Sequence, residues 1–331
     1  MRILAGDIGG THARLIYVDD DPQRPIRRIE RYACARYSGL IPVIEEFLAQ
    51  QGLAKVFDAV CLAVAGPVFD GRASITNLPW EISTGALAAL LNARSVFLIN
   101  DLAAVAHAVP GLPPESLVVL QQGTAGAPLN AAVVGVGTGL GAAHLVWCDD
   151  RYLAFSSEAG HAGFAPATAE QERLLAWLHQ QHVHVSVEML LSGRGIFTLY
   201  RFYRDVLGEP ESDRLREQMA GLEDPAPLIS RHALAADDPL CCRALASFVE
   251  ILGAVVGDVA LHYFPLNAIY LAGGVVTVLQ PLLGDPRFLR ALCNKGPMQH
   301  YLEQLTVALV NSGTAGLDGA VAYARQQGGH E

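Results

Sequence analysis

The sequence predicts an α/β protein built as two lobes, and three observations carry that prediction. Strand-like apolar runs alternate with segments of helical spacing along the chain. The 331 residues exceed the size at which one hydrophobic core stops growing. A strand, a glycine-rich turn and a second strand also occur twice, about 130 residues apart.

The elements read in order as follows. Residues 2–5 and 15–18 read as strands around Gly9-Gly10-Thr11, a hairpin signal. Residues 40–48 place Leu40, Ile41, Ile44, Phe47 and Leu48 at helical spacing. An apolar run at 59–65 stops at Gly66-Pro67 and reads as a buried strand. Ser83 is an N-cap candidate for the Ala/Leu-rich helix that follows. Residues 95–99 form another strand, which ends at Asn100-Asp101 before an Ala-rich helix.

Residues 111–130 read as a Pro/Gly-containing connector, after which the second lobe begins. Helical patterns fill 170–235, a mostly buried helix spans 244–261, and a short helix at 317–325 follows Gly313 and Gly316. The expected division is 1–110 plus 312–331 for a smaller α/β domain, and 111–311 for a larger one with a helical insertion.

Shifting the chain by 130 residues sets Ala13, Leu15, Asp19 and Asp20 on Ala143, Leu145, Asp149 and Asp150. Gly9 falls on Gly139, Ile16 on Val146 and Tyr17 on Trp147. The match implies two lobes on one plan, each contributing a glycine hairpin.

Composition narrows the function. A net charge of −10 without any Lys/Arg run argues against nucleic-acid binding, which needs a clustered basic surface. Small anions remain open to it, because backbone N–H groups and a cation can hold phosphate. Six cysteines without a C-x-x-C pair point to reduced thiols in a cytoplasmic protein. The apolar start is broken at Asp7, too early for a signal peptide. Residues 259–284 have the length of a membrane span, but Pro265, Gly273, Gly274 and Pro281 break them, so a buried strand and glycine turn between helices is expected. His161, His179, His182 and His184 lie in one stretch with loose spacing and no cysteine, which favours a solvated helix end over zinc.

Three glycine-rich elements could contact phosphate or nucleotide. Gly6-Asp7-Ile8-Gly9-Gly10-Thr11 joins a strand-end carboxylate to a turn whose N–H groups an oxyanion can approach closely. Asp7 there could hold Mg²⁺ through water, or could simply cap the turn. The run from Gly135 to Gly141 contains Gly137, Thr138 and Gly139 and matches a dinucleotide fingerprint by pattern. That fingerprint requires a helix next, whereas 143–148 is β-like, so a hairpin phosphate loop fits better. The third element, Gly273-Gly274 after an apolar strand, could lie flat against a base or ribose, or serve helix–strand packing. Neither a P-loop motif nor a protein-kinase catalytic loop is present.

The polar candidates are Asn100, Asp101, Glu158, His161 and Glu188. Sugar hydroxyls both donate and accept hydrogen bonds, and these side chains suit them. Phosphoryl transfer to a hydroxyl needs a base near the attacking oxygen, and Asp101, beyond a strand end, is the candidate.

Taken together and in order, these motifs resemble the bacterial glucokinase family, in its zinc-free branch, within the sugar kinase/Hsp70/actin superfamily. GDIGGTHAR (6–14) and GTGLGAAHL (137–145) resemble its two phosphate motifs, INDLAA (99–104) its catalytic segment and LAGGVV (271–276) its adenosine motif. ITNLPW (75–80), EAGH (158–161) with FAP (164–166), and EMLLSG (188–193) resemble its sugar-side segments. Gly163 departs from the family, where an acidic residue often follows the histidine. The resemblance implies a ribonuclease-H-like fold of the actin/hexokinase type, with a cleft between lobes that close over the sugar. It implies transfer of the γ-phosphoryl of ATP to the 6-hydroxyl of D-glucose, with Asp101 as general base. Asn100, Glu158, His161 and Glu188 would bind glucose. Asp7, Gly9, Gly10, Thr11, Gly137, Thr138 and Gly139 would surround ATP and Mg²⁺, and the resemblance implies a cytoplasmic homodimer. A kinase for mannose or an amino sugar, a sugar sensor without turnover, and an NAD-binding oxidoreductase are the competing readings.

Overall fold

The computed structural model describes residues 1–21, 26–75, 78–124 and 126–328. The sugar-side motif at 75–80 therefore falls partly outside the described residues, at Thr76 and Asn77. The chain divides into two compact units, one of Met1–Pro113, Tyr152–Ala154 and Ser312–Glu331, the other of Pro114–Arg151 and Phe155–Asn311.

The first unit starts with β1 (Arg2–Ile8), β2 (His12–Asp19), β3 (Ile26–Ala33), α1 (Leu40–Gln51) and β4 (Phe57–Val64). A small sheet follows, made of β5 (Val68–Phe69), β6 (Arg72–Ser74) and β7 (Glu81–Ser83). Then come α2 (Thr84–Leu91), β8 (Ala93–Asn100) and α3 (Asp101–Ala108). The main sheet has the order β3-β2-β1-β4-β8, with β1, β4 and β8 parallel and the β1–β2 and β2–β3 pairs antiparallel.

The second unit contains β9 (Leu117–Gln121), β10 (Asn130–Val136), β11 (Leu140–Cys148) and the ends of β12 (Arg151–Ser157), whose Tyr152–Ala154 is grouped with the first unit. Next are α4 (Ala169–Leu178), α5 (Gly193–Arg201), α6 (Asp213–Met219), α7 (Ala226–Ala235), α8 (Pro239–His262) and β13 (Leu266–Ala272). After α9 (Gly274–Val278), α10 (Gln280–Leu283), α11 (Pro286–Cys293), α12 (Gln299–Leu302) and β14 (Thr306–Val310), α13 (Ala315–Gly328) belongs to the first unit. Its sheet has the order β12-β11-β10-β13-β14-β9.

The first five strands of that order repeat the first unit's sheet in strand succession. Hairpin β10–β11 takes the place of β1–β2, β13 that of β4, and β14 that of β8, with the same parallel and antiparallel senses. The sheet plan thus repeats, but corresponding strands start 128 residues apart (Arg2 and Asn130, His12 and Leu140), so Gly9 corresponds to Gly137 and the 130-residue alignment is two residues out of register. The sixth strand, β9, pairs antiparallel to β14 and lies inside what reads as a connector. Its LVVLQ run is short and sits between Pro114 and the glycines at 123 and 126, so local signals favour a loop and only pairing with β14 makes it a strand.

Alternation along the strands divides the first core in two. Leu4, Ile8, Leu15, Tyr17, Val60 and Leu62 pack with α1 and α2, while Ile3, Ala5, Ile16, Cys61 and Ala63 pack with α3 and α13 residues such as Ala104, Leu317 and Val321. The second unit has one core, in which Phe248, Leu252 and Val256 of α8 pack with Val134, Ile269 and Phe288. Helix α8 is long and apolar enough to cross a membrane by composition, yet 67% of its most apolar window is buried in the protein. The apolar stretch 259–284 is divided among the end of α8, β13, α9 and α10.

Two sequence expectations need adjustment, and one competing reading falls away. The side chain of Ser83 precedes α2 but makes no capping hydrogen bond. The terminal helix runs from Ala315 to Gly328, starting earlier and ending later than its apolar pattern. The dinucleotide-fingerprint alternative fails, because residues 137–139 turn directly into β11 rather than into a helix.

Candidate active site

The first unit gathers its carboxylates through strand register. Ile8 pairs with Val64 and Val64 with Asn100, so β1, β4 and β8 end level with one another. Two strand spacings separate β1 from β8, about 10 Å. Asp7 is the penultimate residue of β1, and Asp101 immediately follows β8 as the first residue of α3. Both therefore sit at the carboxyl edge of the parallel strands, where ligands of α/β sheets collect.

Alternation also decides where Asp7 points. Leu4, Gly6 and Ile8 face α1, so Asp7 shares its face with Ile3 and Ala5, towards α13. A Cβ on Gly316 would lie 3.2 Å from its carboxyl carbon, so the first turn of α13 abuts the carboxylate. Burial pushes the Asp7 pKa up, and the positive charge of Arg14 opposes the shift. Arg14 stands directly opposite Asp7 in the hairpin, its Nε 3.7 Å from Oδ2, and its guanidinium also donates to the Gly313 carbonyl. Among the described residues no hydrogen bond reaches the Asp7 carboxylate oxygens. A desolvated carboxylate with one partner at that distance is a fitting ligand for a cation. No group of three or more His, Cys, Asp or Glu side chains suited to a metal exists among the described residues. The donor set thus fits an ion that keeps most of its waters, as Mg²⁺ does.

Asn100 caps α3, its Oδ1 accepting from the N–H groups of Leu102 at 2.9 Å and Ala103 at 3.4 Å. Its oxygen is committed to the helix, and its amide N–H₂ is the part suited to a ligand. The side chain of Asp101 is open at the surface, yet surrounding protein desolvates the carboxyl and raises its pKa. The Leu102 N–H, which donates to Oδ1 at 2.8 Å, opposes that rise, and the negative charge of Asp7 adds to it.

Of the first glycine motif, Gly6 and Ile8 lie in the core of β1. A Cβ on Gly6 would come within 2.8 Å of Leu62 and 2.9 Å of Leu15, so its glycine is required by packing. The side chain of Ile8 is fully buried. Any contact of these two with a ligand is through the backbone. Gly9, Gly10 and Thr11 form the turn, closed by the Gly9 N–H donating to the His12 carbonyl.

In the second unit, Gly137, Thr138 and Gly139 form the turn between β10 and β11, with Thr138 exposed at its tip. Gly273 abuts the same hairpin. Its φ of +105° and the 2.3 Å that a Cβ would leave to the Val136 carbonyl both demand glycine. Gly274 has open space where a side chain would be.

Glu158 and His161 flank a single helical turn, Ala159–His161, with Nε2 of His161 3.9 Å from Oε2 of Glu158 and both side chains exposed. This loop is paired with the segment carrying Glu188: Phe164 N–H donates to Val185, Val187 N–H donates to Ala162, and Gly163 bridges Ser186. Oε2 of Glu188 accepts the Leu140 N–H at 2.9 Å, at the start of β11. A Cβ on Gly160 would lie 2.0 Å from the carbonyl of the same Leu140. Leu140 thus joins the 158–161 loop to the β10–β11 hairpin within this unit.

Sequence reasoning missed Arg14 and Leu140, and it read His184 only as part of a solvated helix end, whereas His184 lies beyond α4 with its Nε2 at the His161 carbonyl. Counting outward from the turn would have paired Arg14 with Asp7, because residues whose numbers sum to 21 face each other in this hairpin. Nothing local in the sequence marks Leu140 or His184.

The five-strand plan occurring twice is that of the actin-like sugar kinases, and the chain is one of that class. The glucokinase family model matches residues 4–327, and the chain belongs to that family. It is 37% identical over 332 residues to a glucokinase of Yersinia pestis (strain Pestoides F), covering 99% of this chain and 98% of that protein. A glucokinase of Nostoc sp. is 35% identical over 336 residues, covering 97% and 98%. Among solved structures, a glucokinase from an Antarctic psychrotroph superposes with a TM-score of 0.85 at 33% identity, covering 98% of this chain and 99% of that one.

Proposed function

We propose that this chain carries out the glucokinase reaction with Asp101 as its general base. Family membership supports the overall activity, ATP-dependent phosphorylation of glucose. The observation that carries the residue assignment is the position of Asp101, one residue beyond the end of β8 at the same carboxyl edge of three parallel strands that holds Asp7.

In the proposed step the Asp101 carboxylate accepts the proton of the glucose 6-hydroxyl. The oxygen attacks the γ-phosphorus of ATP, the new O–P bond forms, and the bond to the bridging oxygen breaks with its electron pair leaving on ADP. A pKa raised by burial makes Asp101 a stronger base than a solvated carboxylate. Glucose hydroxyls are assigned to the Asn100 amide, Glu158, His161 and Glu188, whose second oxygen accepts no hydrogen bond among the described residues. The backbone N–H groups of residues 9–11 and 137–139 are assigned to phosphate, and Gly273 and Gly274 to the adenosine side. Mg²⁺, held beside Asp7 through water, would neutralise charge on the transferred phosphoryl group. A cytoplasmic location is assigned on the six free cysteines. The assembly proposed for it is a homodimer.

A coupled assay of ADP release across a hexose panel tests the reading. Release that depends on glucose and is lost in Asp101→Ala is expected. Absence of glucose-dependent release would overturn the activity, and near-full turnover by the variant would remove Asp101 from the base role.

A further inference from the structure

We propose that Glu188 is a positioning residue for the phosphate hairpin at 137–139, in addition to its assignment as a sugar ligand. The inference rests on reading that hairpin as a nucleotide element. The Glu188 carboxylate reaches 48 positions back along the chain, and its Oε2 accepts the Leu140 N–H at 2.9 Å. A Cβ on Gly139 would come within 2.4 Å of that oxygen, so the carboxylate occupies the space where any side chain at 139 would sit. The Gly193 N–H, at the start of α5, donates to the Gly137 carbonyl at 2.9 Å, and Gly160 packs on the Leu140 carbonyl.

Both ends of the turn are thereby tied to sugar-side segments, at Gly160 between Glu158 and His161, and at Glu188 and Gly193. A three-residue turn with glycine at both ends has little stiffness of its own, because each glycine gains conformational freedom when released. A hydrogen bond from a backbone N–H to an ionised carboxylate is about twice as strong as a neutral one, which makes Glu188 the principal tie. A sugar hydroxyl on the other oxygen of Glu188 would draw on the same carboxylate, so sugar occupancy and hairpin geometry share one group.

Isothermal titration of Mg·ADP into the full chain without glucose isolates this role, since a group that only binds sugar has no effect there. Glu188→Gln keeps the reach and an acceptor but loses the charge. Glu188→Asp keeps the charge but is one methylene short of Leu140. We expect ADP affinity to fall about 3-fold in Glu188→Gln and about 10-fold in Glu188→Asp and Glu188→Ala, the latter corresponding to 1.4 kcal/mol. Circular dichroism on the near-isosteric Gln variant guards against a folding defect. Unchanged ADP affinity in all three, with a raised glucose KM, would overturn the proposal. Thr138→Trp, a bulky group at the exposed tip, separates the two levels. If it leaves ADP binding intact, the hairpin is not a nucleotide element and the underlying reading fails. If it abolishes ADP binding while the Glu188 variants do not alter it, only the role of Glu188 fails.

Discussion

The Nε2 of His184 lies 2.8 Å from the carbonyl oxygen of His161, so the imidazole carries its proton on Nε2 and donates. This bond closes one end of the pairing between residues 162–164 and 185–187. A Cβ on Gly163 would lie 3.9 Å from the His184 ring, so the imidazole stands beside the position that has no side chain. His184→Ala should raise the glucose KM by about 3- to 10-fold, the value of one side-chain hydrogen bond, with little change in kcat. His184→Gln, which retains a donor, should recover most of the loss. A fall in kcat with KM unchanged would contradict the positioning role.

Asp101→Asn should lower kcat by at least about 100-fold, because the amide cannot accept the proton. In the parent enzyme, activity should fall as acid protonates Asp101. The raised pKa puts that loss at higher pH than for a solvated carboxylate. The stability effect has the opposite sign. A carboxyl whose folded pKa lies above its ordinary value of 3.8 contributes most stability when protonated, and loses it as pH rises through the folded pKa. The Asn variant should therefore match or exceed the parent in Tm at pH 7, measured by differential scanning fluorimetry.

Glu211 makes the reverse case in the helical part of the second unit. Burial pushes its pKa up, but hydrogen bonds from Arg204, Tyr200 and Arg216 outweigh burial and hold it below the ordinary 4.5. Its stabilisation is complete above that value and fades as pH falls through the depressed folded pKa. Glu211→Gln should cost about 2 kcal/mol at pH 7. The Tm difference from the parent should shrink steadily below pH 4.5.

Two helix glycines should respond oppositely to alanine. In α13, a Cβ on Gly319 would sit 1.6 Å from the Ala104 carbonyl of α3, so Gly319→Ala forces the two helices apart. A loss of about 3 kcal/mol or more is expected from denaturant unfolding. In α2, the nearest atom to a Cβ on Gly85 is the Ser83 hydroxyl at 3.9 Å. Gly85→Ala should gain about 0.5–1 kcal/mol.

Much of the first unit is legible in the chain, because its signals are local. Asp7 and Asp101 stand at the ends of apolar runs, the first followed by a glycine turn and the second by an Ala-rich helix. The repeat of strand, glycine turn and strand likewise lies in short strands that keep their own patterns, though the 130-residue alignment sets its register two residues off. β9 was not legible, since five residues without clear alternation become a strand only beside β14. The helix boundaries at Ala315 and Gly328 also lie outside the apolar pattern that marks the helix.

The sequence by itself determined the family, the strand-end placement of Asp101 and the residue types offered to a sugar and to phosphate. Tertiary structure alone decided what each of those groups touches. Arg14 reaches the Gly313 carbonyl across 299 positions, and Gly316 closes over Asp7. Glu188 proves to be bound to the Leu140 N–H as well as available to a ligand. The physical reason is range: periodicity and turn chemistry are written within about ten neighbouring residues. The partner of a carboxylate is fixed instead by which distant backbone the packed core brings beside it.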